Sequence, residues 1–220
     1  MKRLLGLGSL LALCGASTAS ASIVINEALG STTGTDAEYI ELYNSGPAPV
    51  DISGWRIQLW DSDTGAPFGG ADGGTPYLIP AATTLAVGDY WLMGNTTFAT
   101  FWSGALRDQI IQENAIENGS YTMILRDAAL AVQDSVYVTD GGVGDAPNDA
   151  GAAFVPGATI GPDGANLPAG FYRVGDAGAT LALLEFSPLP SASGTPNAAN
   201  LPEPASMALL ALGTLALRRR

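Results

Sequence analysis

Alternation of apolar and polar residues in short segments constrains the fold of this chain more than any other feature. One such segment places Trp55, Ile57 and Leu59 on one side of an extended strand, and leaves Arg56 and Gln58 on the other. This period of two is typical of strands with one buried face. Because 28 glycines and 14 prolines supply turns between such segments, the sequence predicts an all-β protein. Short antiparallel strands with polar outer positions favour an immunoglobulin-like β-sandwich.

Further strands are predicted wherever β-branched and aromatic residues cluster between Gly and Pro. They are 22–25, 38–43, 83–87, 90–93, 121–126, 131–138, 171–174 and 180–186. One other stretch, 108–116, is predicted as a short helix. The expected architecture is therefore a sandwich of many short strands with little helix.

The residues that the chain lacks exclude several reaction centres. It has no His and one Cys, so Ser-His-Asp triads, Cys-His pairs, His-ligated zinc and an intrachain disulfide are all excluded. Between residues 22 and 201 there are 20 acidic residues against four arginines, which gives a net charge of −16. Because such a body would repel phosphate backbones, we expect no nucleic-acid partner.

The first 21 residues have the pattern of a secretory signal peptide. It combines a charged start, an apolar stretch and a small-x-small cleavage site, which are Lys2–Arg3, 4–14 and Ala19-Ser20-Ala21. Cleavage at Ala19 and Ala21 would release a mature chain that begins at residue 22. A buried N-terminal helix and a lipoprotein anchor on Cys14 are the alternatives. The bulky Leu13 disfavours the lipoprotein.

A proline-glutamate motif, an apolar run and a basic cluster follow one another at the C-terminus. They are Pro202-Glu203-Pro204, the run 205–217, and Arg218, Arg219 and Arg220. As a helix, the run would extend about 20 Å, which is short of the roughly 30 Å hydrocarbon core of a bilayer. The arrangement in 201–220 resembles the PEP-CTERM sorting signal of bacterial exported proteins.

The PEP-CTERM resemblance implies the destination of the chain. An exosortase, a membrane enzyme, would recognise Pro202, Glu203 and Pro204 after the secretion machinery has exported the chain. The helix 205–217 would be inserted in the membrane transiently, with the arginines on the cytoplasmic side. The body would then reach the cell envelope, the cell surface or the extracellular matrix. A permanent anchor formed by the same helix is the alternative.

Three motifs in the first third of the chain support a second resemblance. Ile25-Asn26-Glu27, Glu38-Tyr39-Ile40-Glu41-Leu42-Tyr43-Asn44 and Val50-Asp51-Ile52-Ser53-Gly54-Trp55 are similar to the lamin tail domain. The resemblance extends over 22–200, with 140–170 as a candidate loop insertion. It implies an immunoglobulin-like β-sandwich that serves mostly as an accessory module on secreted and surface proteins.

Oxygen-rich loops are candidates for binding calcium. Asp61 and Asp63 precede a glycine, and Asp72 lies nearby in the sequence. A second loop, 140–149, is also rich in Asp, Asn and Gly. Calcium prefers six to eight oxygen ligands on flexible backbone, although neither loop completes an EF-hand. The alternative is that Asp and Gly only form turns. Apart from calcium, no cofactor is expected.

Two further sets of residues are candidates for function. The glutamates Glu27, Glu38 and Glu41 near strand ends would face solvent, bond loop backbones or share a carboxylate site. The aromatic residues that would line a carbohydrate-binding face are Trp60, Trp91, Trp102 and Tyr43. Aromatic side chains in strands are more often buried than exposed, and Trp55 is predicted to lie in the core.

These observations predict an exported, non-enzymatic structural or binding module of the bacterial envelope or exopolysaccharide matrix. Besides the exosortase, its expected partners are surface polysaccharides or envelope proteins. A secreted hydrolase that uses two carboxylates is one alternative function. A permanently anchored surface protein is the other.

Overall fold

The alternating segments form the central strands of two β-sheets, so that the all-β prediction is confirmed. The computed structural model describes residues 22–30, 37–67, 77–162, 170–184 and 194–200. Its strands are β1 (Ile23–Leu29), β2 (Tyr39–Asn44), β3 (Val50–Asp51), β4 (Arg56–Asp61), β5 (Thr84–Leu85), β6 (Tyr90–Gly94), β7 (Gln109–Ile110), β8 (Tyr121–Arg126), β9 (Val132–Val138), β10 (Asn148–Asp149), β11 (Ala152–Ala153), β12 (Ala158–Ile160), β13 (Gly170–Arg173) and β14 (Leu181–Leu184). A single-turn helix, α1 (Phe98–Phe101), follows β6.

The larger sheet has six strands in the order β14-β13-β1-β2-β6-β7. Its neighbours are antiparallel, except that β6 and β7 are parallel. Strand β1 lies between β13 and β2 and is buried along its whole length. The strand is longer than the predicted segment 22–25. The polar residues Asn26 and Glu27, which interrupt the apolar run in the sequence, are buried within the strand and do not end it.

The smaller principal sheet has four strands in the order β12-β9-β8-β4. Strands β4 and β8 are antiparallel, with Arg56 opposite Arg126. Ile57 and Leu59 are fully buried, whereas Arg56 and Gln58 are half-buried on the outer face. The alternation predicted for this strand is therefore confirmed.

Apolar side chains of both sheets form one core between them. Ile25 and Leu42 from the larger sheet share a buried cluster with Leu59 and Met123 from the smaller one. Each fully buried Leu, Ile or Met contributes about 1.5–3 kcal/mol relative to an exposed position. This shared cluster holds the two sheets face to face as a sandwich.

A turn and a short helix complete the apolar packing. Gly54 has a φ of 73°, a left-handed conformation in which a side chain would be strained, and it allows Trp55 to enter the core at once. Helix α1 supplies Phe98 to a second buried cluster on the larger sheet. The ring of Phe98 stacks on that of Trp102, with the ring centroids 5.2 Å apart.

The helix predicted at 108–116 is wrong. Part of this stretch forms β7 beside β6, and Ile111 donates its N–H to a backbone carbonyl of β6 at 3.1 Å. Ala115 and Ile116 donate theirs to the carboxylate of Glu38, at 2.5 and 2.9 Å. Because these donors are bonded to distant parts of the fold, they are not available to the carbonyls four residues earlier that a helix requires.

Residues beyond 140 contribute to both principal sheets. Strand β12 pairs in parallel with β9, while β13 and β14 extend the larger sheet beside β1. The hairpin of β10 and β11 lies on the outer face of β8, where Asn148 N donates to Thr122 Oγ1 at 3.1 Å. The assignment of 140–170 as a loop insertion stays a prediction.

The signal peptide 1–21, the sorting segment 201–220 and its apolar run 205–217 lie outside the described residues. Within the ranges that the structure describes, no helix combines the length and the apolar character needed to span a bilayer. The transmembrane helix therefore stays a prediction.

Candidate functional site

Two of the aspartates predicted to bind calcium lie where β4 ends: Asp61 is its last residue and Asp63 is in the turn that follows. Asp61 Oδ1 accepts the N–H groups of Asp63 and Thr64 at 2.8 and 3.1 Å, which is the bonding that an Asp makes in a turn. Asp72 lies outside the described residues. Among the residues that are described, no three acidic, His or Cys side chains form a group that could hold a metal ion. Calcium binding at Asp61, Asp63 and Asp72 stays a prediction.

The second oxygen-rich loop folds against the first. Asp63 shares a side-chain hydrogen bond with Asp145, and Ser120 Oγ donates to Asp145 Oδ2 at 2.5 Å. Burial, the bond with Asp145 and the neighbouring carboxylates raise the pKa of Asp63 to about 6, whereas the bond from Ser120 lowers the pKa of Asp145. The two loops therefore share an excess of negative charge.

The glutamates near the strand ends are buried rather than solvated. Glu27, Glu38 and Glu41 are 0%, 1% and 0% exposed. Each accepts backbone N–H groups from a loop that is distant in sequence, as Glu38 does from Ala115 and Ile116. The interpretation that they bond loop backbones is confirmed, because buried backbone donors need an acceptor.

Glu27 and Glu41 fix the closing segment, residues 194–200, to the larger sheet. Thr195 N donates to Glu27 Oε1 at 2.8 Å, and Asn197 N donates to Glu41 Oε2 at 2.6 Å. These bonds cover both carboxylates with backbone, so neither carboxylate lines an open cleft.

Burial changes the protonation of this pair. It raises the pKa of Glu27 to about 7, against the opposing effect of hydrogen bonds from Tyr39 and Thr195. It raises the pKa of Glu41 to about 8, and the charges of Glu27 and Asp176 add to the increase. Near neutral pH the two glutamates therefore retain protons that exposed glutamates would have lost.

A buried ion pair that the sequence did not indicate joins the two sheets. Arg173 Nη2 lies 2.8 Å from Asp134 Oδ2, and the two side chains are 7% and 10% exposed. Arg173 Nε donates to the carbonyl of Ile25 at 2.9 Å, while Ile25 N donates to Asp134 at 2.8 Å. The only sequence signal was a single Arg within the predicted strand 171–174, and charged strand positions are usually solvated.

An open groove of about 490 Å³ lies on the outer face of β4 and β8. It is lined by Arg56, Gln58, Trp60, Arg126, Leu130, Asp149 and Ala150. Three of these residues alternate along β4, because side chains two apart share one face of a strand. The β10–β11 hairpin supplies Asp149 and Ala150 as the opposite wall.

The two arginines of the groove differ in their bonding. Arg126 forms a salt bridge with Asp149, donates from Nε to the side chain of Gln58 and donates from Nη1 to Leu130 O at 3.0 Å. Neither ion pair found among the described residues involves Arg56, and its buried Nε has no hydrogen-bond partner there. Trp60 is 5% exposed, and its indole N–H is likewise unpartnered in the described part of the chain.

Of the aromatic residues predicted to contact carbohydrate, Trp60 lines this groove and the others lie elsewhere. Trp91 packs against the main core, and Trp102 packs against the cluster that contains Phe98. The ring of Tyr43 is tilted over that of Tyr90, with the centroids 5.0 Å apart. Trp55, which is 9% exposed, lies in the core as predicted.

Comparison with known proteins supports both resemblances. A search of curated proteins finds no significant match. Residues 200–220 match the PEP-CTERM protein-sorting motif, which implies an exported protein that an exosortase recognises. Two sets of predicted roles stay predictions. They are the cleavage site at Ala19 and Ala21, and the individual motif residues Pro202, Glu203, Pro204, Arg218, Arg219 and Arg220. Residues 16–140, more than half of the 220, match the Lamin Tail Domain. The chain belongs to the lamin tail domain family.

Proposed function

We propose that this chain is a non-enzymatic structural or binding module of the bacterial cell envelope or exopolysaccharide matrix. The observation that carries the proposal is the match of residues 200–220 to a sorting motif. That segment follows a lamin tail domain. A β-sandwich that is exported and sorted in this way presents its outer faces to the cell surface.

The positions of the carboxylates support a role other than catalysis. A glycosidase needs two carboxyl groups on either side of a substrate cleft. Glu27 and Glu41 are buried and accept bonds from the closing segment, and the one carboxylate that lines the groove, Asp149, is paired with Arg126. Such groups are better suited to holding the fold and the groove than to transferring protons.

The closing segment is bonded to the folded body up to Asn200, which precedes the sorting motif in the sequence. Asn200 N donates to Asp176 Oδ1 at 3.0 Å, and the carbonyl of Asn200 accepts the N–H of Gly175 at 2.7 Å. Pro202 follows only two residues later. Because two residues extend at most about 7 Å, the exosortase would meet the motif close to the folded body.

Fractionation and intact-mass measurement on the full chain in a producing bacterium test the proposal. We expect a signal-free form at the cell surface or in the matrix that lacks residues 205–220. Glu203→Ala should remain in the membrane with its terminal arginines. Asp51→Ala, which removes an exposed carboxylate from the body instead of the motif, serves as the control substitution and should be sorted normally.

Three results would contradict the proposal. A surface form that keeps Arg220 would identify a permanent anchor. A chain that stays in the cytoplasm would show that the protein is not exported. Release of reducing sugars from a polysaccharide by the purified chain, lost on substitution of a carboxylate, would identify a hydrolase.

A further inference from the structure

We infer that the groove formed by Trp60, Arg56, Arg126 and the β10–β11 hairpin binds a polysaccharide through its carboxylated sugars, of the uronic acid type. This inference rests on the proposed function, because it names the ligand class of the same exported module. It is carried by the charge of the groove, by its unpartnered donors and by the apolar surface beside them.

Charge distinguishes the groove from the rest of the body. Residues 22–201 contain four arginines against 20 acidic residues, and two of those arginines line this groove. With Asp149 as the one acidic lining residue, the groove carries a net charge of +1, whereas the body carries −16. An anionic polymer is therefore attracted here and repelled by most other surfaces.

The unpartnered groups specify what an occupant must supply. Both the Nε of Arg56 and the indole nitrogen of Trp60 are buried N–H donors without a partner among the described residues. Because both are donors, only a group that carries acceptors could pair with them. A carboxylate has two acceptor oxygens in the geometry that a guanidinium recognises through paired hydrogen bonds.

The remaining walls favour a sugar over a simple anion. Leu130, which is 51% exposed, supplies most of the apolar surface, and the small exposed part of Trp60 lies in the same groove; apolar surface suits the C–H faces of a sugar ring. Gln58 and Asp149 add polar groups, and Asp149 can accept a hydroxyl proton. Because the groove carries a net charge of only +1, the single charge of a carboxylate is balanced there, whereas the about −1.5 to −2 of a phosphate monoester is not. At about 490 Å³, the groove falls within the usual range for ligand sites.

The groove is a feature of this chain rather than of the matched domain alone. The lamin tail domain match ends at residue 140, and Asp149 and Ala150 lie beyond it. These residues reach the groove because Asn148 is bonded to Thr122 on β8 and Asp149 is bonded to Arg126. The specificity of the groove thus depends on the segment that follows the match.

Titration of the full chain in mild detergent with an oligogalacturonate tests the inference. We expect saturable binding by calorimetry, with a change in tryptophan fluorescence that Trp60→Phe removes. The methyl-esterified oligosaccharide of the same length should bind at least tenfold more weakly, because it lacks the carboxylate charge. A phosphorylated oligosaccharide should also bind at least tenfold more weakly.

Two arginine variants provide a matched pair. Arg56→Gln should weaken binding at least tenfold, whereas Arg107→Gln, which removes the same charge outside the groove, should change it less than twofold. Thermal melting of both variants checks that they fold. Equal losses in the two variants would show general charge attraction and would overturn the inference.

Other outcomes separate this inference from the proposed function. Absence of saturable binding, or binding of the esterified or the phosphorylated oligosaccharide that is as tight as that of the oligogalacturonate, would overturn the ligand class. If the chain were nevertheless found in the matrix, the proposed function would stand. Binding by a chain that is never exported would support the groove and remove the proposed function.

Discussion

Two groups of carboxylates in this molecule differ in burial, and the difference changes what each group does. The buried glutamates, Glu27, Glu38 and Glu41, lie on or beside the larger sheet and accept N–H groups from distant loops. The loop aspartates, here Asp51 and Asp61, lie at strand ends and accept N–H groups two or three residues ahead, in the turn that follows. The first group joins separate parts of the chain, and the second shapes local backbone.

The comparison teaches that the cost of losing a carboxylate depends on its partners. When a buried glutamate is removed, its backbone donors stay buried and unpaired, which costs about 1–3 kcal/mol for each donor. When an exposed turn aspartate is removed, water replaces it. Stability should therefore be sensitive to the buried glutamates and tolerant of changes in the loop.

The largest expected effect is that of Glu38→Ala. This change leaves the N–H groups of Ala115 and Ile116 without their acceptor, and we expect a loss of about 3–5 kcal/mol in the free energy of unfolding. That is a large share of the about 5–15 kcal/mol that stabilises a typical domain. Urea denaturation followed by circular dichroism measures the loss.

Asp51→Ala is the matched control for Glu38→Ala. Asp51 is exposed and accepts one backbone N–H, from Ser53 at 2.9 Å. Its removal should lower the urea midpoint far less than Glu38→Ala does. Similar losses in the two variants would contradict the assigned difference between buried and exposed carboxylates.

The pH dependence of stability should follow the buried pair. The pKa of Glu27 is raised from 4.5 to about 7, and that of Glu41 from 4.5 to about 8. When folding raises the pKa of a carboxyl group, that group stabilises the folded state fully at pH values below its pKa in the unfolded chain. The stabilisation is lost as the pH rises through its pKa in the folded chain. We therefore expect the free energy of unfolding to fall by several kcal/mol between pH 5 and 9, at about 1.4 kcal/mol for each pH unit over which one of the two groups stays protonated only in the folded state.

Variants identify the groups responsible for this pH dependence. Glu41→Gln should make the melting temperature depend less on pH between pH 5 and 9. This holds even where the substitution also shifts the melting temperature by the same amount at every pH. Asp51→Asn should leave it unchanged, because hydrogen bonds with Ser53 lower the pKa of Asp51 and it is ionised throughout this window. A wild-type melting temperature that rises over the same window would show that the pair does not titrate as described.

Much of the fold could be predicted because its long strands carry their own local pattern. Strand β8 has the bounds predicted for 121–126, and β4 places Ile57 and Leu59 inward as expected. The two-residue strands β7, β10 and β11 could not be predicted, because two residues cannot display a period. Their pairing is determined by distant neighbours or by the turn that joins them.

The candidate site was less predictable, since its parts come together only through tertiary contacts. Alternation predicted that Arg56 and Gln58 face outward, but the position of Asp149 depends on the path of the chain after β9. The burial of the three glutamates was harder still to predict, because charged residues are rarely buried. Their partners lie far away in sequence: Ala115 is 77 positions from Glu38, and Thr195 is 168 from Glu27.

A smaller loss is expected when the segment that covers the glutamates is displaced. A Cβ at Gly194 would lie 2.0 Å from the Tyr39 hydroxyl and 2.9 Å from Glu27 Oε1, so Gly194→Ala should cost about 1–3 kcal/mol. Amide hydrogen exchange at Thr195 and Asn197 should accelerate. Gly104→Ala is the control, because nothing lies within 4 Å of its added Cβ; equal exchange rates in both variants would indicate that the segment is not held by these contacts.

The smallest expected effect is that of calcium on the loop aspartates. If Asp61, Asp63 and Asp72 bind the ion with the about 0.1–1 mM affinity of extracellular modules, about 1 mM calcium should stabilise chelator-treated protein by about 0.4–1.4 kcal/mol. Differential scanning calorimetry should detect the increase in melting temperature. Asp63→Asn should abolish it, whereas Asp127→Asn, in an exposed turn elsewhere, should not.

Proton competition gives the calcium prediction a second readout. Because the pKa of Asp63 is raised to about 6, its carboxyl group is mostly protonated at pH 5 and mostly ionised at pH 7.5. Calcium must displace that proton in order to bind, so its stabilising effect should be larger at pH 7.5 than at pH 5. An effect independent of pH would show that calcium binds away from Asp63, and no effect at either value would leave these aspartates without a role in calcium binding.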